Sequence, residues 1–170
     1  MARTLTTNLK VDINATYQDS LDLSTVKDFL SAVFSDTLAS GIGADQADRL
    51  WHDQRTLAAS ASENLDLAGG LTDAFGNTLT FARVKLIYIK AAAANTNNVV
   101  VGGHATAAFV NWVADATDKV NIRPGGVFLL FAPDATAYVI TAGTGDLLTV
   151  ANSAGGSSVV YDIVIVGAAA

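Results

Sequence analysis

The feature that most limits what this chain can become is its turn punctuation. From Asn95 onward, the segments Asn95–Asn98, Gly102-Gly103, Pro124-Gly125-Gly126, Pro133-Asp134, Gly143-Thr144-Gly145 and Gly155-Gly156 cut the chain into short apolar runs. Glycine supplies positive φ and proline and aspartate favour tight reversals, so each cluster reads as a turn. The runs between them are Val99–Val101, Lys119–Ile122, Val127–Phe131, Ala137–Thr141, Leu147–Val150 and Val159–Val166. They are rich in β-branched and aromatic residues, which fit a pleated surface. Turn signals about eight to twelve residues apart argue for a β-sandwich or barrel and against βαβ units, and the expectation adopted is a mainly β, antiparallel, jelly-roll-like sandwich with at most one short helix.

The first half is less regular. Leu9, Val11, Ile13, Ala15 and Tyr17 alternate with Lys10, Asp12, Asn14, Thr16 and Gln18, the period-two pattern of a strand with one apolar face. Next come Val26, Phe29, Leu30, Val33, Phe34 and Leu38, at helical spacing behind a Ser24 or Thr25 cap, although Leu30, Ala32 and Phe34 also alternate. Helix and strand are equally supported there. Gly41-Ile42-Gly43 breaks the chain, and in Ala44–Leu65 the core anchors are Trp51 and Leu57. After turns at Gly69-Gly70 and Phe75-Gly76-Asn77, Thr78–Lys90 reads as a long central strand whose alternation slips between Phe81 and Val84, as at a β-bulge. Val127–Phe131, bracketed by Pro124 and Pro133, is apolar throughout, as expected of a strand covered on both faces by its own sandwich or by a neighbour.

A chain of 170 residues fits one domain, 1–170, with residues 1–20 expected to serve as an N-terminal arm or strand reaching a neighbouring subunit. Hydrophobic residues make up 51% and charged residues only 15%, too little charge to solvate a whole monomer surface, which points to a homo-oligomer. The net charge of −6, with no run of basic residues, lacks the electrostatic footprint for phosphate backbones, so no direct nucleic-acid contact is expected. With no cysteine there are no disulfides, thiolate metal sites or thiol nucleophiles. No apolar run spans a bilayer and the N-terminus lacks an apolar signal segment, so the expectation is a product of the cytoplasm without a membrane partner.

Candidate chemistry is thin. His52 and Asp53 are adjacent, and neighbours on a strand point to opposite faces, so Asp53 is badly placed to orient His52. His104 has no further ligands at metal spacing. Ser24-Thr25-Val26-Lys27 matches a serine/lysine pattern by chance, because the companion motifs are absent. Asp45, Asp48 and Asp53, and the pair Asp115 and Asp118, lack the glycine and closing glutamate of a calcium loop. Glu63 sits in the segment that offers a longer carboxylic acid. The glycine loops are followed by no lysine–serine/threonine pair and open no helix, which removes phosphate cradles. The expectation is therefore no catalytic residue, no cofactor and no metal.

Three segments bear a resemblance: Trp51–Gly76 (WHDQRTLAASASENLDLAGGLTDAFG), Asn77–Gly103 (NTLTFARVKLIYIKAAAANTNNVVVGG) and Ile122–Gly167. Together they cover most of the chain, and it resembles a family of small structural proteins of tailed bacteriophages. The resemblance implies a virion component on the capsid exterior, made in the bacterial cytoplasm: a decoration or cement protein, commonly a trimer, touching the major capsid protein or another virion protein. The competing readings are a receptor- or carbohydrate-binding module of a tail fibre or baseplate and, far behind, a small hydrolase. The residues selected for oligomer or shell contact are Leu9, Val11, Ile13 and Tyr17, with Phe109 and Trp112; for each, an ordinary place in the core is the alternative.

Overall fold

In a computed structural model that describes residues 3–170, the chain is all-β, with no helix among the described residues. In chain order the strands are β1 (Thr7–Ser20), β2 (Thr25–Ser40), β3 (Gln46–Ala47), β4 (Arg49–Leu57), β5 (Ser62–Asp66), β6 (Leu71–Thr72) and β7 (Thr78–Leu79). They continue as β8 (Arg83–Ala91), β9 (Val99–Gly102), β10 (Lys119–Ile122), β11 (Val127–Phe131), β12 (Tyr138–Val139), β13 (Leu147–Asn152) and β14 (Val159–Ala168).

Two antiparallel sheets form the body. One has the order β11-β8-β14-β4, with β12 added to β8; the other runs β10-β9-β13-β5. Among these eight main strands the first in sequence pairs with the last and the second with the last but one, a nested order that leaves most hairpin partners in opposite sheets. The inner face of the first sheet is read directly from its registers: Trp51, Ile165, Ile87 and Leu130 form one row, and Ile163, Ile89 and Phe128 lie in the next. They meet Leu65, Val99, Val101, Leu148 and Val150 of the second sheet in one continuous core. Burying each such aliphatic side chain is worth roughly 1.5–3 kcal/mol, so this layer is what holds the body together.

The strands expected after Asn95 are present, although Ala137–Thr141 contributes only the two residues of β12. Thr78–Lys90 is not one strand: β7 ends at Leu79, the chain turns through Thr80–Ala82, and β8 begins at Arg83. The slip in alternation marks that break and a bulge just beyond it. The register steps from Val166 opposite Leu86 to Gly167 opposite Val84, leaving Lys85 as the extra residue. Gly167 is required there, because a Cβ would collide with the Arg83 carbonyl oxygen. Val127–Phe131 is an edge strand of the first sheet and is apolar on both sides for a local reason. Phe128 and Leu130 face the core, whereas Leu129 and Phe131 face a second, smaller cluster on the outside of the sheet.

That outer cluster, formed by Leu38, Ala47, Leu86 and Val166 with Leu5, Leu9, Tyr88, Leu129, Phe131 and Val164 against it, is the root of the most unusual element. β1 and β2 pair along their whole lengths, from Thr7–Leu38 to Ser20–Thr25, and close in a turn where the Leu21 amide donates to the Ser24 carbonyl. The segment with equal claims to helix and strand is therefore a strand. Beyond its root the hairpin leaves the body, and every residue from Asp12 to Ser35 is exposed.

Candidate interaction surface

At about 3.3 Å per residue, the 14-residue β1 makes this arm about 45 Å long. Residues directly opposite in an antiparallel pair share a face. One face of the arm therefore carries Val11 with Phe34, Ile13 with Ala32, Ala15 with Leu30, Tyr17 with Asp28, and Asp19 with Val26. The other carries Lys10, Asn14, Ser31, Gln18, Lys27, Ser20 and Thr25, interrupted by Phe29 and Val33. Tyr17 is 81% exposed, Phe29 70%, and Leu23 at the tip fully exposed. A two-stranded hairpin is marginal in water without something packed on it, and the exposed Ile13, Tyr17, Val26, Leu30 and Phe34 on one face, with Asp19 and Asp28 among them towards the tip, mark a contact surface.

The arm is anchored only at its root. Phe34 meets Phe131 edge-on at 5.8 Å between ring centres. Leu38 and Leu9 close over Leu86 and Val166. Beside them Lys85, 0% exposed, donates from Nζ to the carbonyl oxygens of Gly43 (2.8 Å), Pro133 (3.1 Å) and Asp134 (2.5 Å). Burial pushes its ammonium below the usual lysine range, against the favourable pull of Asp134. A second tie joins the same loops, since the Asp45 amide donates to the Pro133 carbonyl. The cation thus locks the Gly41–Asp45 loop, where the arm returns to the body, onto the Pro133–Asp134 turn.

Two further groupings were not legible in the sequence. Tyr161, fully buried, donates its hydroxyl to Glu63 Oε1 at 2.6 Å, and Arg55 donates from Nε to Glu63 Oε2 at 3.0 Å and also from its terminal nitrogen. Burial and the Glu63 bond drive the Tyr161 phenol far above its usual pKa, and the same carboxylate raises Arg55. The cluster ties β5 of one sheet to β4 and β14 of the other. The second grouping is an open groove of about 1020 Å³ lined by Arg3, Asp48, Trp51, His52, Asp53, Asp73, Phe75 and Asn77 among others. Arg3 pairs with Asp73 at 2.9 Å and lies 4.4 Å from the centre of the exposed Phe75 ring. Backbone and side-chain bonds from Asn77 and the Phe75 amide hold the Asp73 carboxyl below its usual range.

Of the six contact residues expected from sequence, four lie on the arm and on one face of it. Leu9 is in the root cluster, Val11 lies at the point of departure, and Ile13 and Tyr17 are on the free part. The other two sit in the body. Phe109 is only 3% exposed and belongs to the sandwich core, so it is not available for contact. Trp112 is half-buried, stacks on Phe128 at 5.4 Å and donates from Nε1 to the Phe109 carbonyl. Phe109 takes the core role that was the alternative for every member of the set, and Trp112 packs half-buried against that core.

His52 lies on the outer face of β4, opposite Val164, and Asp53 bonds instead to Arg55 and to the Gln54 amide. His104 accepts from the amides of Thr106 and Ala107. Asp115 and Asp118 cap their own loop: Asp118 accepts from the amides of Ala114 and Asp115, and Asp115 accepts from Thr117. Among the described residues no three histidine, aspartate or glutamate side chains gather as a metal site. No helix among them is long and apolar enough to cross a membrane. No protein-family model, curated protein or solved structure matches the chain.

Proposed function

We propose that this protein is a structural component of a tailed-bacteriophage virion, a decoration or cement subunit on the capsid exterior that stabilises the assembled shell through protein contacts. The observation that carries this reading is the arm: a compact sandwich has no internal use for a hairpin that runs about 30 Å beyond its root (residues 12–20 of β1 at roughly 3.3 Å each) with its apolar residues in water. A protein that binds only the assembled state stabilises it by mass action, and repetition on a symmetric shell, as trimers at its axes, multiplies weak contacts into avidity. The thin charge and the absence of a basic patch agree with partners that are protein surfaces, the major capsid protein first. The nested strand order agrees with a jelly roll, an architecture used by viral coat domains and lectins alike, so as a fold-level analogy it fits the shell and the receptor readings equally.

One observation favours the second reading, a receptor- or carbohydrate-binding module of a fibre or baseplate. The groove beside Phe75 offers an exposed aromatic ring with Asp53, Asp73, Asn77 and His52 around it, a lining suited to a polar ligand with apolar faces. The test is a virus lacking the protein. Under the decoration reading its particles lose resistance to heat and osmotic shock and still adsorb to cells; stable particles that fail to adsorb would replace it with the receptor reading.

A further inference from the structure

The sandwich has one long edge that no other strand closes. β4 is the last strand of the first sheet and pairs only with β14. Which of its backbone groups are free follows from β14. The Val160 carbonyl accepts from the Ala92 amide and the Val160 amide donates to Asn95 Oδ1, so even-numbered residues of β14 bond towards β8 and odd-numbered ones towards β4. Through the register, Trp51, Asp53, Arg55 and Leu57 are the bonded residues of β4, and Leu50, His52, Gln54 and Thr56 turn their N–H and C=O groups outward. Among the described residues no backbone bond to another strand or loop takes up these groups, and the Gln54 amide donates to Oδ1 of its neighbour Asp53 at 2.9 Å. An open edge of nine residues without proline is a template for another strand. Only its start is bordered, where residues 3–5 line the same groove as residues 48–50.

We propose that β4 pairs with β4 of a second copy of this chain, antiparallel and centred on Gln54, so that the two first sheets become one. The strand is self-complementary in that register. Asp53 of each copy falls opposite Arg55 of the other, Trp51 opposite Leu57 and His52 opposite Thr56, while Gln54 meets itself. Outward residues thus meet outward residues, which gives about six backbone bonds at two per bonded pair. Opposite charges directly across two strands attract and like charges repel, and the other centres fail on that count. Centred on Asp53, two carboxylates face each other; on Arg55, two guanidiniums; on His52, Arg55 faces Arg49 and the strand runs into residues 3–5. A shift to Thr56 leaves both charges unmatched. The acids behind the edge are already bonded within each copy: Glu63 by Arg55 and Tyr161, Asp66 by the Ala68 amide, and Asp162 by Gln54 Nε2, with Lys90 across from it. Arg55 Nη1 reaches its own Asp53 at 3.2 Å, so pairing turns one ion pair into an alternating network of four charges. The contact is isologous and closes at two copies. It leaves the arm free and does not rest on the place of the protein in a virion.

The chain has no cysteine, so a single introduced thiol reports the register. Gln54→Cys puts the two thiols on the axis, where the Cα atoms of a bonded pair stand about 5.5 Å apart, within disulfide reach. His52→Cys puts them roughly 13 Å apart, four residues along the ribbon. Oxidation of the full-length chain at micromolar concentration is expected to turn most of the Gln54→Cys variant into a covalent dimer on a non-reducing gel and to leave the His52→Cys variant uncrosslinked. Light scattering without oxidation gives the second readout. Gln54→Pro blocks the central pair at an amide that takes no part in the β4–β14 ladder, and Asp53→Arg sets like charges opposite each other. Each is expected to halve the mass found for the wild type, with circular dichroism unchanged. No crosslink from Gln54→Cys, an equal crosslink from His52→Cys, or the wild-type mass in both the Gln54→Pro and Asp53→Arg variants would overturn the inference.

Discussion

Replacing Tyr161 with phenylalanine isolates the tie between the two sheets. The ring stays buried and the core volume is kept, so the change removes one hydroxyl that donates to the Glu63 carboxylate at 2.6 Å. Hydrogen bonds to charged groups contribute about 1.5–3 kcal/mol, which sets the expected loss near 2 kcal/mol at pH 8. In urea denaturation the midpoint should fall with the slope unchanged, and for a domain of this size the melting temperature should drop by about 4–8 °C. The pH dependence gives a second readout. The folded phenol titrates well above the ordinary value of 10.0, so Tyr161 contributes stability that is complete below pH 10 and is lost as pH rises beyond it, when the unfolded chain ionises first. That loss is about 1.4 kcal/mol by pH 11, and phenylalanine has none of it, so the gap between wild type and variant should shrink to about 0.6 kcal/mol. A gap that stays constant from pH 8 to pH 11, or a cost below about 0.5 kcal/mol at pH 8, would refute the argument that Glu63 and Tyr161 join the sheets.

Two other substitutions probe the root of the arm and the bulge that shapes it. Lys85→Met keeps the stem and removes the ammonium from three carbonyl oxygens; it should cost about 2 kcal/mol and open the Gly41–Asp45 loop, seen as faster hydrogen exchange at the Asp45 amide and earlier proteolysis there. Gly167→Ala drives a methyl group into the Arg83 carbonyl oxygen and the Phe81 ring, and should cost about 2–3 kcal/mol in urea denaturation, more than an alanine placed at the open Gly69 turn position would cost through φ alone.

The body of the fold was legible because its strands obey rules that act locally. Turn clusters after Asn95 and β-branched runs between them mark β9, β10, β11, β13 and β14 within a residue or two. β1 was legible for the same reason: its apolar residues keep strict alternation. β2 was not, and the cause lies in the arm. Val26, Leu30 and Phe34 fall on one face and Phe29 and Val33 on the other, so the spacing imitates a helix in a strand that has apolar residues on both sides. Within one chain no core selects a face for that segment, and the usual signal is lost. Lys85 left only a slip in phase, which points to a bulge but says nothing of a buried cation. The Arg55–Glu63–Tyr161 cluster left no trace, since it joins residues 8 and 98 positions apart through the sheet registers. Phe109 and Trp112 lie in a connection with no strand pattern of its own, and nothing in their local spacing tells that one fills the core and the other packs half-buried against it.

The most direct test of the account is the number of copies of this protein in a purified particle, counted by quantitative mass spectrometry against the major capsid protein. A subunit that coats a shell through repeated protein contacts is expected in the hundreds, in fixed ratio to the capsid protein. A count of a handful would contradict the decoration role and move the protein to a fibre or baseplate.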